Sequence, residues 1–339
     1  MKIALDAHGG DFGINPNLEG ALRAVKELGI EVVLVGNETD LKAGLEGLGA
    51  SREKRVSVVH APTVVGMEAE PVEECRTKPD SSIMVCGTLV AEKKADAMMS
   101  AGNSGATMVA SFLKLGRIKG ISRPAIATPL PSLRGTFVLL DAGANTECTP
   151  QQLAQFGMMG SVYARLALGI PEPSVGIVSI GEEETKGNNL TKETVPLLKK
   201  SGLRFTGPVE GRDIPMGTTD VVVCDGFTGN IILKLMEGMG KAMFEMIKRE
   251  LSTRPVATAG ALLAKPAFKA IKRRMNPDEQ GGALLLGING VSLIGHGRTS
   301  STAIFNALRV ASHMVETKVN DQIAQEAVKL NAAIKEAKA

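Results

Sequence analysis

A chain of 339 residues with 44% hydrophobic content can bury a large core and has the apolar fraction of an ordinary globular protein. Lys and Arg (39) nearly balance Asp and Glu (36), so no global basic field points to nucleic acid. The chain has no Trp and one Tyr, which argues against aromatic platforms for single-stranded bases and leaves the core to Ala, Val, Ile, Leu and Met.

The predicted elements alternate. In chain order they are strand Ile3–Leu5, helix Asn17–Leu28, strands Glu31–Val35 and Val56–His60, helix Ser81–Lys94, strand Ala97–Met99 and helix Ala106–Leu115. Strands Ile126–Thr128 and Thr136–Leu140, helix Pro150–Leu168, strand Val175–Ile180 and helix Thr191–Lys200 follow. Strand Asp220–Cys224, helix Thr228–Leu251, strand Val291–Ile294 and helix Ser300–Lys318 come last, before an Ala- and Lys-rich helical tail from Asn320. Strands that alternate with helices predict a mostly parallel sheet covered on both faces, a three-layer α/β/α arrangement. No repeat or linker divides the chain, so residues 1–339 are expected to form a single α/β domain. A basic helical excursion at about 251–276 departs from that pattern, with Arg254, Lys265, Lys269, Lys272, Arg273 and Arg274, no acid, and Phe268, Ile271 and Met275 at helical spacing.

Cys75, Cys86, Cys148 and Cys224 lack zinc-finger or redox spacing, which fits a reducing compartment. The chain starts on a strand with no basic-then-apolar leader, and no apolar run reaches the roughly 20 residues a bilayer requires. A cytoplasmic location is the expectation.

Polar glycine loops recur at predicted strand ends: Asp6–Asp11, Ser100–Gly105, Asp141–Asn145, Gly181–Asn188, Asp225–Asn230 and Gly295–Ser300. In a parallel sheet ligands bind outside the carboxyl ends of the strands, so these six loops are expected to share one edge. Ser100-Ala-Gly-Asn-Ser-Gly105 before a helix is a candidate anion cradle, because glycines allow close approach and a helix N-terminus carries unpaired N–H groups. The plainer alternative is a strand-to-helix turn capped by Ser104. Walker A, a complete dinucleotide fingerprint and His-Glu-x-x-His are absent, which argues against a nucleotide cradle or a zinc peptidase. Cys224 reads as a small buried strand residue. Lys186, after three acids, is either an exposed ion-paired lysine or a cation aimed at an anionic substrate. Asp6, Asp11, Asp141 and Asp225 suit helix capping or the orientation of a reacting group.

Taken together, Asp6-Ala-His-Gly-Gly-Asp11, Asp80-Ser-Ser82, Ser100–Gly105, Gly116–Ile121, Asp141–Asn145, Ile180–Asn188, Val209–Ile214, Cys224–Asn230 and His296-Gly297 run in order along essentially the whole chain. In these strings the chain resembles the bacterial phosphate acyltransferases, the phosphate:acyl-acyl-carrier-protein acyltransferase family. It departs from the family in His8, where Met is usual, and Ser104, where Thr is usual. The resemblance implies a fold like isopropylmalate dehydrogenase and phosphotransacetylase. It implies transfer of a long-chain acyl group from acyl carrier protein to inorganic phosphate, giving acyl phosphate for phospholipid synthesis. It further implies a homodimer, peripheral membrane contact near a downstream glycerol-3-phosphate acyltransferase, and no cofactor or metal.

Phosphate can attack the thioester itself, so no enzyme nucleophile is required. Phosphate binding is expected at Ser100, Gly102, Asn103, Ser104 and Gly105, supported by Asp6, Gly9, Gly10 and Thr228. Lys186 and Asn230 are expected around the reacting carbonyl, with Asp225 and His296 for orientation or proton transfer. Lys265, Lys269, Lys272, Arg273 and Arg274 are expected to touch an acidic carrier protein or anionic lipid. A solvated face packed on a dimer partner is the plainer alternative. Other readings are an acyl-coenzyme A phosphotransferase, an NAD-dependent dehydrogenase of related fold, and a non-catalytic lipid or carrier-protein adaptor.

Overall fold

A computed structural model describes residues 1–338. The first parallel run contains β1 (Lys2–Asp6), α1 (Asn15–Leu28), β2 (Glu31–Gly36), α2 (Glu38–Gly47), β3 (Val56–His60), α3 (Pro71–Thr77), α4 (Ser82–Ala91), β4 (Ala97–Ser100) and α5 (Ser104–Leu115). Next come the hairpin β5 (Ala125–Ser132) and β6 (Gly135–Leu140), α6 (Pro150–Ala167), β7 (Ser174–Val178), α7 (Asn189–Lys200), β8 (Arg204–Val209) and β9 (Val221–Val223). The chain then forms α8 (Gly226–Ser252), α9 (Pro255–Leu263), α10 (Lys265–Arg274), α11 (Pro277–Gln280), β10 (Ala283–Leu286), β11 (Val291–Ile294), α12 (Ser301–Glu316) and α13 (Val319–Lys338).

The strands form one 11-stranded sheet in the order β3-β2-β1-β4-β11-β10-β5-β6-β9-β7-β8. Side chains alternate between two covered faces, as strand geometry requires. Ile3, Leu5, Ala97, Met99, Val138, Leu140, Val221 and Val223 share a core with α1, α6, α12 and α13. Ala4, Val33 and Met98 face the opposite way, into a core with α4 and α5. Phe137, Leu139 and Val222 do the same beneath α8. This is the three-layer arrangement, and no described helix is long and apolar enough to cross a membrane.

One expectation fails. Strands β3, β2, β1, β4 and β11 are mutually parallel, as are β6, β9, β7 and β8. Between them β10 pairs antiparallel with β11 and β5, and β5 pairs antiparallel with β6. Three reversals leave the two runs pointing opposite ways. The six loops therefore do not share one carboxyl edge. The loops after β1, β4 and β11 form one constellation, and those after β6, β7 and β9 form another. β8 and β10, α2, α3 and α11 are additions to the predicted elements, and the basic stretch runs through α9 and α10.

Candidate functional site

The first constellation is tightly packed around Asp6. The Ser100 hydroxyl donates to Asp6 Oδ2 at 2.7 Å and accepts from the Gly102 N–H at 3.0 Å. Asn17 Nδ2 donates to the Ala7 and Gly9 carbonyls, pinning the loop after β1. A side chain at Gly9 would put Cβ 2.7 Å from Gly102 N, so only glycine allows the two loops to touch. Burial raises the pKa of Asp6, against hydrogen bonds from serine hydroxyls that lower it.

Asn103, not Ser104, caps α5: its Oδ1 accepts from Ala106 N at 3.0 Å. Its Nδ2 donates to the carbonyls of Gly66, Met67 and Ala69. This side chain is committed to holding the loop. What the cradle offers a ligand is backbone, the N–H groups of Ser104 and Gly105 in the first turn, which have no intrahelical acceptor. Gly10 and Gly297 close the constellation, with Asp11 N donating to the Gly297 carbonyl at 2.7 Å. His8 turns away from it, its Nε2 accepting from Asn37 N at 3.0 Å.

The second constellation is built on Asp141, which is fully buried. Its Oδ1 accepts from the N–H groups of Ile126, Gly143 and Ala144, and its Oδ2 from Asn145 N and Nδ2. Five donors surround a carboxylate whose pKa burial nevertheless raises. The first turn of α8 lies directly on this loop. The Asn145 carbonyl accepts from Gly226 N, and a Cβ at Gly229 would fall 1.8 Å from the Asp141 carbonyl oxygen. Asp225 caps α8, accepting from Thr228 N at 2.9 Å and from the Thr228 hydroxyl at 2.8 Å. Asn188 caps α7 in the same way, through Thr191 N.

These loops and helix starts surround an open pocket of about 670 Å³ lined by Thr146, Glu147, Cys148, Asn188, Leu190, Asp225, Phe227 and Thr228. Lys186 lies just before the wall formed by Asn188, and Asn230 is half a turn beyond Thr228 beside Gly143. Two of the three acids before Lys186 are engaged elsewhere: Glu184 pairs with Lys199 at 2.6 Å and Glu182 with Arg212 at 3.4 Å. Lys186 is exposed, and among the described residues neither its ammonium nor the Asn230 amide has a side-chain partner. Cys148 and Cys224 are not nucleophiles at neutral pH. Desolvation together with Asp141 and Asp225 pushes the Cys148 thiol up to about 12 and raises that of buried Cys224 well above the ordinary range. A separate hollow of about 480 Å³ on α2 beside His60 contains none of the sequence-predicted residues.

The structure thus places Ser100, Gly102, Asn103, Ser104, Gly105, Asp6, Gly9, Gly10 and His296 on one run, and Lys186, Asp225, Thr228 and Asn230 on the other. Thr228 is not beside the other residues expected to bind phosphate. One contact links the groups: His296 Nε2, in the loop after β11, is 3.8 Å from Glu237 Oε1 on α8. Sequence reasoning missed Glu237, although Asn230 and Glu237 are seven residues apart on one helix and so share a face. It also missed Cys148 and Phe227 as pocket walls. Lys265, Lys269, Lys272, Arg273 and Arg274 are all exposed on α10, with Arg273 3.7 Å from Glu279. Met275 packs back on α8 at Gly240.

Residues 1–322 match the family described as fatty acid synthesis protein. A phosphate acyltransferase of Elusimicrobium minutum is 56% identical over 325 residues, covering 96% of this chain and 95% of that protein. A phosphate acyltransferase of Desulfitobacterium hafniense is 49% identical over 334 residues, covering 98% of this chain and 99% of that protein. Among solved structures, the EutD phosphotransacetylase from Staphylococcus aureus aligns with a TM-score of 0.62 at 17% identity, over 93% of this chain and 94% of that one. A phosphotransacetylase from Streptococcus pyogenes aligns at 0.63 and 16% identity, over 94% of each. At such identities the structural likeness concerns the fold alone.

Proposed function

Because the chain belongs to the phosphate acyltransferase family of fatty acid synthesis proteins, we propose that it transfers a long-chain acyl group from an acyl-carrier-protein thioester to inorganic phosphate at the α7–α8 pocket. One observation carries the placement. Asp141, Asn145, Asn188, Asp225 and Thr228, in and behind the pocket wall, are engaged in holding its loops. Lys186 and Asn230, exposed within two residues of Asn188 and Thr228, and the lining residues Thr146 and Glu147 carry no such bond among the described residues and are left to face a ligand.

Phosphate attacks the thioester carbonyl carbon, and negative charge grows on the carbonyl oxygen. The Lys186 ammonium and Asn230 amide stabilise that oxyanion, a job worth about 3–4 kcal/mol per well-placed donor. Ser104 and Gly105 N–H groups at the start of α5 hold the phosphate, with Ser100, Asp6 and the glycines fixing the loop rather than touching the anion. Asp225 and Thr228 fix the position of Asn230 by capping α8. The contact between the loop after β11 and α8 ties the run that carries the phosphate loop to the helix that carries Asn230.

The α9–α10 excursion serves attachment. Val256 and Leu263 are 88% and 86% exposed beside five exposed cations on α10. An apolar edge next to a basic face suits an anionic lipid surface, and the cations also suit an acidic carrier protein. Phe227, Ile231, Leu235, Met239 and Met243 form an exposed stripe at four-residue spacing along α8, which supports a homodimer through that helix.

The test is incubation with phosphate and either an acyl-carrier-protein thioester or the matching coenzyme A thioester, with acyl phosphate detected by mass. Faster turnover of the carrier thioester supports the reading. Preference for coenzyme A would move the assignment to the phosphotransacetylase-like alternative.

A further inference from the structure

Two turns along α8 from Asn230, the Glu237 side chain is only 19% exposed, while that of its partner His296 is 62% exposed and open to a ligand. Glu237 is on the same helical face as Asn230, about 10 Å away along the axis. We propose that Glu237 is a positioning residue and that it holds His296 as the acid which protonates the departing thiolate. This inference rests on the acyltransferase reading above.

The geometry supports the pairing. Nε2 of His296 faces the Glu237 carboxylate at 3.8 Å, which leaves Nδ1 to carry the second N–H outward. Two hydrogen bonds of about 3 Å each, one from Asn230 to the oxyanion and one from His296 to sulfur, with a tetrahedral carbon between them, span a length comparable to the rise of about 10 Å along α8 from Asn230 to Glu237. His296 belongs to the loop whose Gly297 carbonyl accepts from Asp11 N, so the acid comes from the phosphate side of the site.

Charge agrees with this role. Glu237 raises the pKa of His296 and His296 lowers that of Glu237. Lys234 and Lys241, one turn before and one after Glu237, oppose protonation of the ring. On the loop side Arg298 lies 3.9 Å from Asp11. Glu237 has the largest effect on His296, so removing it leaves burial, and after it the two lysines, to lower the pKa of the ring.

The step balances. A phosphate oxygen of the HPO₄²⁻ dianion bonds to the acyl carbon, and the carbon–sulfur bond breaks with its electron pair on sulfur. Imidazolium N–H gives its proton to that thiolate, and the neutral imidazole takes the remaining phosphoryl O–H proton of the acyl phosphate. Thiol and acyl phosphate dianion leave, and His296 is again charged.

Four proteins are compared for their rate against pH with an acyl-carrier-protein thioester: parent, Glu237→Gln and His296→Gln, with Glu237→Asp as the rescue. Loss of the acid is expected to lower turnover about a hundredfold in His296→Gln and to abolish its alkaline limb. Glu237→Gln moves the alkaline limb to lower pH, and Glu237→Asp moves it part of the way back. An alkaline limb unmoved in Glu237→Gln overturns the inference, whatever the rate. Where the variants fold poorly, the parent is assayed with simple alkyl and aryl thioesters of one acyl chain. Weak dependence of turnover on thiol acidity supports proton donation, and steep dependence overturns it. A parent that makes no acyl phosphate from any thioester refutes the acyltransferase reading instead.

Discussion

Two glycines of one helix give opposite expectations for the same substitution. In Gly229→Ala the new methyl would begin 1.8 Å from the Asp141 backbone oxygen and 2.9 Å from its carbon. A carbon–oxygen contact needs more than 3 Å, so the start of α8 must retreat from the Asp141 loop by over an ångström. Backbone on backbone leaves no flexible side chain to give way. Overpacking of this kind costs about 1–3 kcal/mol, against about 1 kcal/mol gained from the helix propensity of Ala. The displacement carries Asp225, Thr228 and Asn230 with it, and an ångström of misplacement at a reacting centre lowers turnover on the order of a hundredfold. Gly238→Ala is the control, because nothing lies within 4 Å of its Cβ. It should gain up to about 1 kcal/mol and keep parental activity. Denaturant titration and steady-state acyl phosphate formation on both variants decide the matter. A Gly229→Ala protein as stable and as active as the Gly238→Ala protein would refute the packing of α8 on the Asp141 loop.

Lys186→Ala should lower turnover a hundredfold or more while stability stays within about 0.5 kcal/mol, since the side chain is exposed and unpaired; intact turnover would remove it from the mechanism. With its thiol pushed up to about 12, Cys148 should react slowly with iodoacetamide at pH 8, and rapid alkylation at that residue, mapped by peptide mass, would contradict the environment described. Burial raises Asp6 and Asp141 above the ordinary value of 3.8, so each binds its proton more tightly folded than unfolded. Their contribution is therefore fully present below about pH 4 and is lost as pH rises through the folded values. Denaturant midpoints of Asp6→Asn should accordingly fall less steeply than those of the parent as pH rises from 4, and parallel curves would show that Asp6 is not the group responsible. Replacing Lys269, Lys272, Arg273 and Arg274 with Gln should weaken sedimentation with anionic vesicles, most clearly at low salt; unchanged binding would reject lipid contact by these charges.

The strands of the first run were legible because they are buried on both faces, so Ile3, Ala4 and Leu5 read as one apolar run. β8 was hidden by Gly207 and Pro208 inside it, and β10 by its brevity after Gly281 and Gly282. The reversal between the two runs was not legible. It depends on the β5–β6 hairpin, whose turn residues Leu133 and Arg134 carry none of the Asn-Gly or Asp-Gly chemistry that announces a tight hairpin. The candidate site divides in the same way. Lys186 and Asn230 stand out as polar residues in predicted glycine loops, and the roles proposed for them rest on that and on the family resemblance. Glu237 lies inside a helix and meets a histidine 59 positions later, a pairing that only tertiary structure creates. Asn103 looked like a ligand group for the same reason that it is a cap: one short amide side chain does both jobs, and the loop at Gly66–Ala69 decides between them.

Direct attack by phosphate, with no acylated protein on the path, is tested most plainly by mass. The protein is incubated with an acyl-carrier-protein thioester and phosphate fully labelled with heavy oxygen, and the small product and the intact chain are weighed together. The expected product is acyl phosphate retaining all the heavy oxygens, beside a chain of unchanged mass. A chain heavier by one acyl group when phosphate is withheld, chased to acyl phosphate when phosphate is added, would contradict direct attack and place a nucleophile on the protein.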